Sequence, residues 1–366
     1  MHYIGMMSGT SVDGIDAVLV SISSNHQCSL LTTHQHPFPP GIRDEIQALM
    51  QPGTNEIDRE GELDIQLGKL FAEAAKGLLA KSGIEASEVR AIGSHGQTIR
   101  HRPHAKFPFS RQIANPSVIA EETGITTVAD FRARDLAAGG EGAPLVPAFH
   151  SWVFRKPAVN RVIVNIGGIA NITWLPKDAD SHVIGFDTGP GNTLMDQWIS
   201  QYQSAPYDSN GAWAKTGQIQ IDLLNRLLKD EYFAKRPPKS TGREYFNLDW
   251  LRMKISGHAT PVDIQSTLAE LTAESIAQGI QLLPDSVDEI YVCGGGSHNQ
   301  YLLSRLQEKL PALPIHTTKV LGIDPDWVEA AAFAWLAYQT LTGHTGNLPS
   351  VTGARQAVLL GGIYPV

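Results

Sequence analysis

Residues 4–16 read IGMMSGTSVDGID, three glycines, a Ser-Gly-Thr-Ser run and two aspartates set between apolar runs. The flanks, Met1 to Gly5 and the β-branched run GIDAVLVSI from Gly14, have strand composition, so the stretch is the tip of a hairpin with a long glycine-rich connection. Backbone amides in such a turn can converge on anionic oxygens, and glycine admits the dihedrals and close approach this needs. The string G-x-x-x-x-G-K-[ST] occurs nowhere in the chain, so a metal ion or an arginine must balance phosphate charge. Asp13 and Asp16 are acids of the kind that holds magnesium directly or through water. A plain surface turn fits the same residues; recurrence of the design is what favours phosphate.

That recurrence lies at residues 161–176, RVIVNIGGIANITWLP, again strand, glycine turn and strand, with Asn165 and Asn171 flanking Gly167 and Gly168. Around the two hairpins the pattern alternates between helix and strand, as α/β folds do. Helical periodicity runs from about Gly41 to Ser82 and closes on Gly83, VRAIGS is a strand leading into HGQT, and Asn115-Pro116 opens a helix ahead of the strand GITTVADF. Further on, strand VIGFD precedes the turn TGPGN and a helix from about Thr193. KRPPKSTGREYF, residues 235–246, is an irregular excursion before a long amphipathic helix over 261–283. Strand DEIYVCGGG, a helix over 299–310, strand LPIHTT and a helix from Pro325 to about Leu341 complete the alternation. The glycine-rich link AAGGEGAP marks the domain boundary, giving lobes of 1–140 and 141–366 with the C-terminal helix free to pack back on the first.

Composition narrows the function classes. A chain of 366 residues, 42% apolar and 18% charged, can bury two cores of ordinary size. With 29 basic against 37 acidic residues the net charge is −8, which supplies no footprint for nucleic acid or an anionic membrane. Cys28 and Cys293 stand far apart, so neither a disulfide framework nor a structural zinc site is indicated, and a reducing cytoplasm fits. The amino terminus lacks the pattern of a signal peptide, and no window of about 18 apolar residues occurs, so a soluble protein is expected.

Two further strings carry chemistry. In GFDTGPGN, Asp187 ends an apolar strand, where open α/β sheets place ligands, and a helix starting near Asn192 would aim amides at an anion; an aspartate capping a turn is the plainer alternative. In YVCGGGSHN, Gly294, Gly295 and Gly296 leave bare backbone for a flat ring or a phosphate, or simply relieve crowding. DFRARD puts Asp130, Arg132 and Asp135 after a strand, where a solvated salt-bridge cluster is the ordinary reading. Glu329 suits the first turn of a helix, and His95 in SHGQT has the usual fate of a core histidine as its alternative. The pairs His34/His36 and His101/His104 have no acid or cysteine at metal-site spacing and read as surface.

Taken together, GMMSGTSVDGID, SHGQT, DFRARD, NIGGIAN, GFDTGPGN and CGGGSHN resemble, in order and over essentially the whole chain, the anhydro-N-acetylmuramic acid kinases of bacterial cell-wall recycling. The resemblance implies a two-lobed actin-like ATPase with ribonuclease H-like lobes and its active site in the cleft between them. It implies ATP, with Mg2+, as cofactor: Gly9, Thr10, Ser11, Asp13, Gly14 and Asp16 in the first phosphate hairpin, with Asp13 the candidate for magnesium through water. Asn165, Gly167, Gly168 and Gly189 form the second, and Gly294, Gly295 and Gly296 receive the adenosine. Asp187 matches the catalytic base, and His95, Gln97, Asp130, Arg132, Asp135, Asn192 and Glu329 are the expected sugar contacts. The implied reaction adds water at the anomeric carbon of the 1,6-anhydro sugar while the released 6-oxygen takes the γ-phosphoryl group. A cytoplasmic homodimer acting on a small amino sugar, with no nucleic-acid or membrane partner, is implied too. Two other classes compete: a chaperone-type ATPase, for which no peptide-binding domain is evident, and a glycoside hydrolase using Asp187 and Glu329, which leaves both glycine hairpins unexplained.

Overall fold

The computed structural model, which describes residues 1–9, 12–23 and 27–366, forms the opening hairpin from β1 (His2–Ser8) and β2 (Gly14–Ile22), with Met7 opposite Asp16. Thr10 and Ser11, both expected at the nucleotide, lie outside the described residues. The later strands are β3 (Cys28–Pro37), β4 (Val89–Arg102), β5 (Phe109–Ile113), β6 (Thr127–Ala129), β7 (Arg161–Ile166), β8 (Ile169–Leu175), β9 (Ile184–Pro190), β10 (Glu289–Cys293), β11 (Ile315–Thr317) and β12 (Gly362–Tyr364).

They build two sheets with one plan. The first runs β12-β6-β4-β1-β2-β3, with β5 added on β4; the second runs β11-β10-β7-β8-β9. In each, three strands form an antiparallel meander and the next two on the other side of the first strand run parallel to it. That is the ribonuclease H-like order, used twice, and it makes the chain an α/β protein of the actin-like class. The sheets belong to separate units, one of Met1–Val153 with Trp327–Val366 and one of Phe154–Asp326. The sequence reading divided the chain after Gly140 and left the C-terminal helix free to pack back on the first lobe; contacts group residues 141–153 and 327–366 with the first sheet.

In the first unit, the helix Glu56–Ser82 buries Leu63, Leu67, Leu70, Phe71, Ala74, Ala75 and Leu78, a stripe at three- and four-residue spacing, and stops at Gly83 in the left-handed conformation. The helix Val328–Leu341 is buried nearly all round and alanine-rich. It lies so close to the sheet that a Cβ on Gly5 would sit 1.9 Å from Ala330 O, and one on Gly93 1.9 Å from Phe333 O. Glycine in β1 and β4 therefore sets the depth at which Glu329, in that helix's first turn, is held. The second unit's core is centred on the helix Pro261–Gln281, which Thr260 caps and Pro261 opens.

Two strands outrun the sequence reading. β4 continues through HGQT to Arg102 because β5 pairs with its far half, and β9 runs through Thr188, Gly189 and Pro190. Proline is tolerated there because β9 is the sheet's edge.

Candidate active site

In the first unit Gln97 pairs with Ser8, while His95, Arg132 and Asp135 belong to a second hydrogen-bonded group. Ser8 Oγ donates to Gln97 Oε1 at 2.6 Å, joining the end of β1 to the middle of β4. Two residues before Gln97, His95 lies buried against Phe333 and receives Arg132 Nε at 3.1 Å and Nη2 at 2.9 Å on its Nε2. A guanidinium only donates, so this Nε2 is the acceptor and Nδ1 carries the proton toward Gly96 O at 2.9 Å. Burial, then the Arg132 charge, hold the His95 pKa well below 6.5. Arg132 itself is pulled down to about 10 by burial, against the attraction of Glu329 and Asp135. Its Nη1 donates to Gly142 O at 2.8 Å.

The Gly142 peptide links Arg132 to Asp135, whose Oδ2 accepts Gly142 N–H at 2.8 Å. Asp135 Oδ1 takes Asn347 Nδ2 at 2.6 Å and Thr352 Oγ1 at 2.7 Å, and the residue is fully buried. This geometry departs from the expectation for Asp135: three internal donors occupy its carboxylate, and its place is to pin the C-terminal segment behind Arg132. Asp130 occupies the position before the helix Phe131–Ala137 without a side-chain capping bond, in a left-handed conformation at φ 60, strained for a residue with a side chain. It is exposed on an open groove it shares with Arg134 and Val358, apart from the group around His95.

Of the first hairpin, Gly9 O accepts Val12 N–H at 3.2 Å, Asp13 is exposed, and Asp16 is half-buried with Gln35 Nε2 3.5 Å from its Oδ1. Among the described residues no group of three His, Cys, Asp or Glu forms a metal cage. Magnesium carried by phosphates needs only one or two carboxylates, and an exposed Asp13 fits that chemistry.

In the second unit the second hairpin, GPGN and the triple glycine converge. Gly191 and Thr193 N–H donate to Gly168 O at 2.9 and 3.1 Å, Asn192 N–H donates to Gly167 O at 2.8 Å, and Asn192 Nδ2 reaches Ile166 O at 3.2 Å. Of the amides at the start of this helix, expected to face an anion, those of Asn192 and Thr193 are taken by the hairpin's own carbonyls. Gly191 is needed for this seam, since a Cβ there would fall 2.3 Å from Gly167 O. Asn165, nearly buried, lines the turn at Gly294, and Asn192 lies beside Gly295 and Gly296. Thr193 Oγ1 is buried beside Gly168 with no hydrogen-bond partner among the described residues.

Asp187 lies on edge strand β9, half-buried, and the irregular excursion folds onto it. Thr241 N–H donates to Asp187 Oδ2 at 2.9 Å, Asp187 N–H donates to Lys239 O at 3.1 Å, and Tyr232 hydroxyl donates to Asp187 O at 2.8 Å. Lys239 Nζ donates to Tyr232 O at 3.3 Å and stands 4.7 Å above the Tyr232 ring. Burial lowers the Lys239 pKa, while the Asp187 charge beside it raises it. One carboxylate with a nearby cation and a backbone donor is equipped to take a proton from water.

The family model for anhydro-N-acetylmuramic acid kinase matches residues 1–366. The chain belongs to that family. A protein of that name from Shewanella loihica is 52% identical over 366 residues, covering 100% of this chain and 98% of its own. Another from Coxiella burnetii is 50% identical over 364 residues, covering 99% and 97%. Among solved structures, the activator of the 2-hydroxyisocaproyl-CoA dehydratase from Clostridium difficile aligns over 94% of this chain and 96% of its own, at 10% identity and TM-score 0.47. No helix among the described residues is long and apolar enough to cross a membrane.

For this kinase-family chain the sequence reading missed the partners of its own acid. Lys239 and Thr241 stand 52 and 54 residues beyond Asp187 in a run without periodicity, and only the density of basic residues in KRPPKSTGR hinted at a role. Arg243, from the same run, lies beside Gly168 and faces Asp196. Burial, relieved by Arg243 and reinforced by Asp208, pushes Asp196 up to about 7.

Proposed function

We propose that Asp187 is the base of an ATP-dependent kinase that opens the 1,6-anhydro ring of anhydro-N-acetylmuramic acid and phosphorylates the 6-oxygen. The activity follows from family membership over the whole chain. The observation that carries the assignment of Asp187 is its setting: an acid on an edge strand, with one carboxylate oxygen held by the Thr241 amide and Lys239 alongside. Asp187 takes the proton of a water that attacks the anomeric carbon; the bond from that carbon to the 6-oxygen breaks, and the 6-oxygen attacks the γ-phosphorus as ADP leaves. Phosphoryl transfer asks for positioning and charge neutralisation. We assign Gly9, Thr10, Ser11, Asp13, Gly14, Asp16, Asn165, Gly167, Gly168 and Gly189 to the phosphates, and Gly294, Gly295 and Gly296 to the adenosine. Arg132, positioned by His95, and Glu329 are assigned to the sugar with Gln97, Asp130 and Asn192. Magnesium, held through Asp13, supplies charge neutralisation when bound. The reaction serves peptidoglycan recycling in the cytoplasm, and a homodimer is the assembly the family resemblance supports.

The test uses water labelled with heavy oxygen. The label must enter the anomeric hydroxyl and the phosphate must sit on the 6-oxygen, both only with ATP present. Ring opening without ATP, or ATP turnover indifferent to the sugar, would overturn the reading. Asp187→Asn is expected to lower kcat at least about a thousandfold, with nucleotide affinity kept within about threefold; turnover at the wild-type rate would remove Asp187 from the role.

A further inference from the structure

The strap that holds Asp187 has no regular structure of its own between Lys235 and Asn247, so it makes neither a helical nor a sheet ladder of hydrogen bonds. Besides its contacts with Asp187 at Lys239 and Thr241, it is anchored at both ends by one carboxylate. Asp230 Oδ1 accepts Tyr232 N–H at 3.1 Å and the Tyr245 hydroxyl at 2.6 Å. Oδ2 accepts Trp250 Nε1 at 2.8 Å and pairs with Lys254 Nζ at 3.1 Å. Tyr232, Phe233, Tyr245, Phe246 and Trp250 pack edge to face around this centre. A helix cap would need only the Tyr232 amide; the donors 15, 20 and 24 residues further on exceed that need.

We propose that Asp230 is a positioning residue for the reaction: by tying Tyr232 to Tyr245 it fixes the strap whose Thr241 amide, Lys239 carbonyl and Tyr232 hydroxyl hold Asp187 in place. The inference rests on the reading of Asp187 as the base. The chain of contacts is continuous, from Asp230 through Tyr232 to the Asp187 carbonyl, and from Asp230 through Tyr245 back along the strap to Thr241 and the Asp187 carboxylate. No member of it other than Asp187 is assigned to sugar or nucleotide. Loosening it therefore misdirects the base without removing a binding contact, and small misplacements of a catalytic group cost much in rate.

The experiment measures steady-state kinetics of the full chain with the anhydro sugar and Mg-ATP, for Asp230→Asn and Tyr245→Phe. Tyr245→Phe keeps the ring and its packing, so it remains informative where Asp230→Asn fails to fold. The expected result is a fall in kcat of about 30-fold or more for Asp230→Asn and about 3- to 10-fold for Tyr245→Phe, with KM for sugar and ATP within about twofold of wild type. A purely structural role would instead lower the folded fraction, read by nucleotide titration, and leave kcat per folded molecule unchanged; that result, or a rise in KM at constant kcat, overturns the proposal. Asp187→Asn is run beside them. If Asp187→Asn turns over normally the base reading fails; if it is inactive while Asp230→Asn and Tyr245→Phe keep wild-type kcat, the positioning role alone fails.

Discussion

Arg132 shows how much of a site one side chain can organise. Its fork spans His95 and the Gly142 carbonyl, and the same Gly142 peptide is tied to Asp135. A lysine has the charge but not the planar fork, and cannot reach both acceptors at once. Arg132→Lys is therefore expected to raise KM for the sugar about 10- to 100-fold while KM for ATP changes little; an unchanged sugar KM would remove Arg132 from the sugar contacts. At this scale the sequence displayed the chemistry and hid the partners. Asp187, Arg132 and Glu329 were singled out because an acid at a strand end and charges beside a strand or in a helix's first turn are local signals. The internal partners of Asp135 were not legible, because Asn347 and Thr352, which donate to its carboxylate, lie 212 and 217 positions away. Nothing in a local pattern distinguishes a carboxylate open to a ligand from one closed by its own chain.

Elements were more legible than their ends. Both hairpins, the long helices and the Asn115 cap follow from periodicity and capping chemistry that act over a few residues. The strand at VRAIGS was read as stopping before HGQT, and TGP was read as part of a turn; both proved to be strand because a partner strand or an open edge absorbs them. The glycines of β1 and β4 carry a sharper message. A methyl at Gly93 would meet the Phe333 carbonyl at 1.9 Å, and backbone on both sides leaves no flexible atom to yield. Gly93→Ala must push the helix Val328–Leu341 off the sheet and Glu329 with it. The expected cost is about 3 kcal/mol or more, seen as a lowered denaturation midpoint, together with impaired turnover in the molecules that fold. A variant as stable and active as wild type would show that the helix is not seated by these glycines.

Across the whole molecule the two units carry opposite responses to acid. In the first, burial keeps His95 well below its ordinary pKa, lowers His101 to about 4 and lowers His150 to about 3. His101 and His150 stay neutral in the folded chain at pH 5 and protonate near 6.5 when it unfolds, so their contribution to stability is present above 6.5 and is lost as the pH falls below it, and the lowered His95 acts in the same sense. His34 acts in the same direction, and Asp130, whose carboxyl is raised by partial desolvation on its groove, offsets part of the effect. In the second unit Asp196, held up to about 7, binds its proton in the folded chain at pH 5 and gives it up on unfolding, so acid favours that fold. His101 and His150 each take up a proton on unfolding near pH 5, about 1.4 kcal/mol per pH unit apiece, against about the same of opposite sign from Asp196. Hydrogen exchange followed between pH 7 and pH 5, corrected for the intrinsic rate, should thus show protection falling in 1–153 and 327–366 and holding or rising in 154–326. His150→Leu removes one histidine from a fully buried position and should shallow the first unit's decline by about one proton's worth, while Asp196→Asn should abolish the second unit's gain. Equal loss of protection in both units on acidification, unchanged by either substitution, would show that the buried histidines and Asp196 do not govern this response.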